Sequence, residues 1–106
     1  MLPKLWLVTG AAILVTFGAD ASAEVIKVKV EQMEFIPSQV SAHVGDTIEW
    51  TNSGFLDHTA TEKDDKWEVA FAPGEAKSMV LTKPGTINYY CKLHPNMTGQ
   101  IIVTAK

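Results

Sequence analysis

"VIKVKVE", residues 25–31, alternates apolar and charged side chains with a period of two. Ile26, Val28 and Val30 fall on one face of an extended chain, and the charged residues between them fall on the other. A helix would need apolar residues three and four positions apart, which this stretch lacks. The stretch therefore predicts a β-strand that buries one face.

The same period returns in "DTIEW" (residues 46–50), "KSMVLT" (77–82) and "TINYYC" (86–91). Turn-forming residues separate these runs, and no segment after residue 24 shows a helical stripe; the turn signals are Pro37-Ser38, Gly45-Asp46, Asn52-Ser53-Gly54, Pro73-Gly74 and Pro84-Gly85. Short strands with turns every 8 to 12 residues are typical of sandwiches and small barrels. We predict an all-β fold, a Greek-key antiparallel β-sandwich.

The first 23 residues have the pattern of a secretory signal peptide. Lys4 precedes an apolar run from Leu5 to Phe17, and Ala21-Ser22-Ala23 forms a small-x-small cleavage signal. The alternative is an uncleaved anchor, but a spanning helix needs about 20 apolar residues. We expect a signal peptide at 1–23, a single domain at 24–106, export to the periplasm, and no membrane anchor.

The charge of the chain argues against nucleic-acid binding. The net charge is -3 and no Arg is present, whereas phosphate binding needs a basic face. The acidic stretch "EKDDKWE", residues 62–68, is interpreted as a solvated turn, with a docking surface for a basic partner as the alternative.

The one cysteine lies in "YYCKLHPNMTG", residues 89–99. Cys91, His94 and Met97 supply a thiolate, an imidazole and a thioether within seven positions, a soft donor set that suits copper. A small exported domain often depends on a disulfide or a metal ion for stability. A single cysteine cannot form an internal disulfide, which leaves a metal ion. The alternatives are that Cys91 is a buried apolar residue or forms a disulfide between chains.

A further ligand must come from outside this loop, and two histidines remain. His43 lies just before a Gly-Asp turn and is interpreted as an exposed strand residue. His58 opens the β-prone run "HTAT", which favours a firmly held imidazole. His58 is therefore the better candidate.

Three stretches of the sequence together resemble a known family. "MEFIPSQVSAHVGDTIEWTN" (33–52), "DHTAT" (57–61) and "FAPGEAKSMVLTKPGTINYYCKLHPNMTGQIIV" (71–103) are similar to small cupredoxins, the type 1 blue copper proteins of the plastocyanin, pseudoazurin and amicyanin group. The C-x2-H-x2-M spacing resembles the short ligand loop of amicyanin. The resemblance implies one type 1 copper ion per chain, with His58, Cys91 and His94 as equatorial ligands and Met97 as the weak axial ligand.

The resemblance also implies a function. It predicts a soluble, monomeric electron carrier that cycles between Cu(II) and Cu(I), and not an enzyme. The implied partners are redox proteins, with a methylamine dehydrogenase-like donor and a c-type cytochrome acceptor as candidates. We expect them to dock on an apolar patch around His94 formed by Phe55, Leu56, Leu93 and Pro95.

Two other functions use the same features. A periplasmic copper carrier or storage protein would bind Cu(I) with the same ligands and hand it on. A metal-free β-sandwich binding module would need none of them. Zinc fits less well, because structural zinc sites favour four strong thiolate or imidazole ligands.

The chain departs from amicyanin at three positions beside the expected ligands, one of which is Asn96 in place of an aromatic residue. Leu93 replaces a proline, so we expect its backbone N–H to hydrogen bond to the Cys91 sulfur and raise the reduction potential. Thr59 replaces an asparagine that joins the two ligand segments, and its hydroxyl group is the candidate for the same role.

Overall fold

A computed structural model describes residues 22–106 of the protein. The described part consists of nine strands joined by turns, and it contains no helix; the strands are β1 (Val25–Glu31), β2 (Glu34–Ile36), β3 (Gln39–His43), β4 (Thr47–Asn52), β5 (His58–Glu62), β6 (Glu68–Phe71), β7 (Ala76–Val80), β8 (Gly85–Cys91) and β9 (His94–Thr104). Residues 22–106 include no helix that is long and apolar enough to cross a membrane. The predicted signal peptide lies almost wholly outside the described residues.

The strands form two sheets, with orders β2-β1-β4-β7 and β3-β9-β8-β5-β6. The predicted all-β sandwich is confirmed, but both sheets are mixed rather than purely antiparallel. Strand β1 pairs with β4 in parallel, and β3 pairs with β9 in parallel. The physical reason is connectivity: β2 and β3 follow one another in sequence but lie in different sheets, and a period of two carries no information about strand direction.

The predicted inward faces form the core between the sheets. Val28, Val30, Ile48 and Trp50 are all buried, as the alternation of β1 and β4 requires. The Trp50 indole N–H donates a 3.2 Å hydrogen bond to the Tyr89 hydroxyl, which satisfies both buried polar groups. Burial raises the pKa of Tyr89 to about 12, so its hydroxyl group stays neutral.

Tyr89 of β8 lies directly opposite Gly99 of β9. A methyl group at residue 99 would overlap the Tyr89 ring, so the ring occupies space that only glycine leaves free. This close approach locks the β8–β9 pair, which carries the cysteine and two of the other three predicted ligands.

The acidic segment 62–68 is a turn between β5 and β6, as predicted. The Glu62 carboxylate accepts hydrogen bonds from the backbone N–H groups of Asp64 and Lys66, at 2.7 and 3.1 Å. Within this segment, Trp67 does not fit the interpretation as a solvated turn, because its ring packs against the core and its centroid lies 6.1 Å from that of the Trp50 ring. The turn therefore also anchors the edge of the second sheet.

Candidate metal centre

Three donor groups meet at one end of the second sheet. His58 opens β5, Cys91 ends β8 and His94 opens β9. The Cys91 Sγ atom lies 3.8 Å from Nδ1 of His58 and 3.6 Å from Nδ1 of His94, and the three donor atoms all lie within 4.8 Å of one another. The fold thus brings together residues 33 positions apart in the sequence.

A two-residue hairpin sets the position of His94 relative to Cys91. These two residues are paired in the β8–β9 ladder, and only Lys92 and Leu93 lie between them in the sequence. The register of the ladder shifts between Tyr90 and Cys91. The short loop forces both donor side chains to the same end of the sheet.

The spacing of the donors fits a shared metal ion. A metal ion with bonds of about 2.0 Å to a nitrogen atom and about 2.3 Å to a sulfur atom, at an angle of about 115–120°, would hold these two donor atoms about 3.6–3.7 Å apart. The two sulfur-to-nitrogen distances, 3.6 and 3.8 Å, agree with this value. A thiolate with two imidazoles is also a donor set that copper prefers.

Met97 and His43 occupy different environments. Met97 lies on β9, three residues after His94, and only 2% of its surface is exposed. His43 ends β3, is exposed, and has its Nδ1 atom 3.8 Å from an Asp46 carboxylate oxygen. The structure therefore leaves His43 outside the group of donors, as the sequence predicts.

The electrostatics of His58 favour a neutral imidazole. Burial of the ring lowers its pKa most, the neighbouring His94 ring lowers it further, and Asp57 opposes both. The ring centroids of the two histidines are 4.9 Å apart. A neutral ring keeps a lone pair free, which metal binding requires.

The backbone around Cys91 is tied to β5 by two hydrogen bonds that both involve Thr59. Its N–H donates to the Cys91 Sγ atom at 3.3 Å, and its hydroxyl oxygen accepts from the Lys92 N–H at 2.8 Å. The second bond confirms that Thr59 joins the two ligand segments. The donor to sulfur is Thr59 rather than Leu93, which corrects the prediction for that residue.

The comparisons with known proteins agree with this geometry. The cupredoxin-like domain family matches residues 4–103 of the chain. The chain belongs to the cupredoxin family. Cupredoxins are copper proteins of electron transfer, and His58, Cys91 and His94 form a possible site for that metal.

This cupredoxin has curated relatives that include an amicyanin and a plastocyanin. It is 30% identical to amicyanin of Paracoccus versutus over 91 residues, covering 80% of this chain and 69% of the relative. It is 29% identical to chloroplastic plastocyanin of Chlamydomonas reinhardtii over 113 residues, covering 93% and 72%. The crystal structure of amicyanin from Paracoccus versutus matches with a TM-score of 0.66 at 25% identity, covering 80% of this chain and 84% of that one. The predicted resemblance to small cupredoxins of this group is confirmed.

One supporting residue of the cupredoxin site was not predicted from the sequence. Asn52 ends β4 fully buried, and its amide group donates to the carbonyl oxygens of Leu56 and Phe71, at 2.8 and 3.2 Å. Its side-chain oxygen accepts from the Gly54 N–H at 3.0 Å. Asn52 thereby holds the loop that leads into His58. The stretch Asn52-Ser53-Gly54 carries a turn signal in the sequence, and an asparagine at the start of such a turn indicates that its side chain binds the backbone of the turn.

The four apolar residues predicted to surround His94 are exposed in this cupredoxin; they are Phe55, Leu56, Leu93 and Pro95. Phe55 is 95% exposed, which is unusual for a phenylalanine. Beside Phe55 and Leu56, a groove of about 340 Å³ reaches His58. His94 itself is half-buried.

Proposed function

We propose that the protein is an exported electron carrier with one copper ion, bound by His58, Cys91 and His94, with Met97 as a weaker fourth ligand. The observation that supports this most strongly is the pair of sulfur-to-nitrogen distances, 3.8 and 3.6 Å, between Cys91 and the two histidines. Copper bound here would supply reversible one-electron transfer.

The chain's own residues favour rapid electron transfer over chemistry on a substrate. The donors lie on adjacent strands of one sheet and are held by the rigid β8–β9 pairing. Little rearrangement is then needed when the charge of the site changes. The Thr59 N–H stabilises negative charge on the Cys91 sulfur, which is greatest in the reduced state.

We propose that electrons enter and leave through the ring of His94, which is half-buried, at the apolar patch. Exposed apolar patches on small domains often mark partner sites, and the side chains of Phe55 and Leu93 are well exposed here. We propose that redox proteins dock on this surface. The similarity to amicyanin supports a donor like methylamine dehydrogenase, with a c-type cytochrome as acceptor.

We also propose that residues 1–23 are removed on export and that residues 24–106 act as a monomer in the periplasm. The support is the signal-like sequence together with the start of β1 at Val25, two residues after Ala23.

The decisive experiment is titration of the purified protein with Cu(II), followed by absorption and EPR spectroscopy and one cycle of reduction and reoxidation. We expect an intense blue colour at one copper per chain that bleaches and returns. A colourless protein, or Cys91 oxidised to a disulfide dimer while copper is reduced, would contradict the proposal. Tight Cu(I) binding without reversible cycling would instead favour a copper carrier.

A further inference from the structure

We propose that Glu68 is a positioning residue for the Cys91 sulfur and acts through two threonine hydroxyl groups. Glu68 is the first residue of β6 and contacts none of the proposed ligands in the hydrogen-bond and ion-pair network of residues 22–106. Its effect on the site is indirect. The inference rests on the proposed function, because it concerns a residue that shapes the same site.

A gap in the backbone ladder creates the need for such a residue. Strand β5 pairs with β8 only at Thr61–Tyr90 and Glu62–Tyr89. Beyond that point towards the metal centre, the ladder between these strands stops, although His58 and Cys91 must still be held together. Side chains therefore have to supply the connection.

Four side-chain contacts close a ring across this gap. The Lys92 N–H donates to Thr59 Oγ1 at 2.8 Å, and Thr59 Oγ1 lies 2.8 Å from Thr61 Oγ1. Thr61 Oγ1 donates to Glu68 Oε1 at 3.2 Å. The same carboxylate oxygen lies 3.2 Å from Nζ of Lys92, which returns the ring to its first residue.

The two ends of this relay determine the direction of every hydrogen bond in it. A backbone N–H only donates, so the Thr59 hydroxyl oxygen accepts from Lys92 and its proton is free for Thr61. An ionised carboxylate only accepts, so the Thr61 proton points to Glu68. Thr61 and Glu68 are directly opposite in the β5–β6 ladder, which places the acceptor at the end of the relay.

The hydrogen bonds, rather than the ion pair, carry the effect. Lys92 and Glu68 have exposed side chains, and exposed ion pairs stabilise proteins weakly. In contrast, Thr59 and Thr61 are buried, and a buried hydroxyl group without a partner is costly. The relay therefore fixes Thr59, whose backbone N–H is the donor to the Cys91 sulfur.

The test is amide hydrogen exchange by NMR in the metal-free protein and in the Cu(I) form, with the absorption spectrum and reduction potential measured in parallel. Thr61→Val removes the hydroxyl group at nearly constant shape, and Thr61→Ser is its matched control because it keeps that group. We expect Thr61→Val to speed exchange at the Lys92 and Thr59 amides by about tenfold and to lower the potential. Thr61→Ser should behave like the wild type.

Glu68→Ala tests the far end of the relay, and its exposed position makes it a safe second variant should Thr61→Val fail to fold. Its control is Glu49→Ala, which also removes a carboxylate near a lysine but on the other sheet. Glu68→Ala should speed exchange at the amides of Thr59 and Lys92, whereas Glu49→Ala should change exchange at neither. The effects of Thr61→Val and Glu68→Ala should not add, because both variants break the same relay.

Wild-type exchange at both amides in Thr61→Val and Glu68→Ala would overturn the proposal. So would faster exchange at Lys92 alone, or faster exchange with unchanged potential and spectrum, because the relay would then be structural only. Failure of the wild type to form a blue site would reject the proposed function instead. The exchange rates of the metal-free protein would still decide the role of Glu68.

Discussion

The backbone N–H of Thr59 donates a 3.3 Å hydrogen bond to Sγ of Cys91, a residue 32 positions away in the sequence. Because the donor belongs to the backbone, no substitution at residue 59 other than proline removes it directly. Substitutions act on it by moving β5. The reduction potential of the site should therefore respond to residues that hold this strand and not only to residues that touch the metal.

The apolar patch is tested by Leu93→Lys, at a residue that is 56% exposed. A lysine there places a charge where a partner must exclude water, so electron transfer to the redox partner should slow by at least about tenfold. The blue absorption band should be nearly unchanged. The measurement is stopped-flow kinetics with the partner protein.

Val80→Lys is the matched control, since Val80 is 57% exposed but lies on β7, in the other sheet. It makes the same change of charge away from the patch and should leave the rate near that of the wild type. Equal rates for the two variants would show that partners do not dock around Leu93.

The buried amide of Asn52 should contribute strongly to stability. Asn52→Ala leaves the carbonyl groups of Leu56 and Phe71 and the N–H of Gly54 without their present partner. We expect a loss of about 2–4 kcal/mol in the free energy of unfolding, measured with urea. Asn96→Ala, at an exposed residue, should change it by less than about 0.5 kcal/mol. A small effect at residue 52 would mean that water replaces these hydrogen bonds.

The close packing of Gly99 against Tyr89 predicts a steric effect. Gly99→Ala places a methyl group into the tyrosine ring, and the strain should cost about 1–3 kcal/mol or more of unfolding free energy. It should also disturb the hydrogen bond from Trp50, so the tryptophan fluorescence should shift. In Gly54→Ala the new methyl group meets its nearest atom at 3.6 Å, an ordinary contact, and stability should be almost unchanged. Similar stabilities for the two variants would contradict the packing account.

A pH dependence follows from Asp46. Its carboxylate accepts hydrogen bonds from the backbone N–H groups of Glu24 and His43, at 2.9 and 2.8 Å, and these bonds lower its pKa. A depressed carboxyl pKa stabilises the fold at pH values above the unfolded pKa of about 4. That stabilisation is lost as the pH falls through the folded pKa.

The comparison of wild type with Asp46→Asn over the range from pH 7 to pH 2.5 tests this sign. At neutral pH the wild type should be the more stable protein in urea unfolding. The gap should narrow steadily once the pH drops below about 4. A gap that stays constant over this range would rule out the linkage to this carboxylate.

The strands that the sequence predicts well are those in which apolar and polar side chains alternate, because this alternation shows which face is buried. Val28, Val30, Ile48 and Trp50 are inward because a half-buried strand must alternate. The direction of neighbouring strands could not be predicted, since side chains alternate in the same way in parallel and antiparallel pairs. The parallel β1–β4 and β3–β9 pairings depend on where the chain changes sheet, which no local pattern records.

At the site, the predicted residues that the structure brings together are of types that have few uses in proteins. A lone cysteine with histidine and methionine at short spacing has a chemistry that the sequence alone suggests. Thr61 and Glu68 have many possible uses, and their role depends on the cross-strand register that a turn of five residues sets. The sequence points to Leu93 as the donor to sulfur, because a residue other than proline there restores a backbone N–H two positions after Cys91. In the structure, the N–H that donates to the sulfur belongs to Thr59, on a different strand.

The two-residue hairpin at Lys92 and Leu93 limits how the chain can change in length. An inserted residue there would move His94 out of register with Cys91, because side chains alternate between faces at every step along a strand. The turn between β5 and β6 lies at the other end of β5 from His58, so a change in its length would put the Thr61–Glu68 register at risk but not the position of the ligands. Length variation, whether introduced by design or accumulated among homologues, should therefore be better tolerated in residues 63–66 than in residues 92–93.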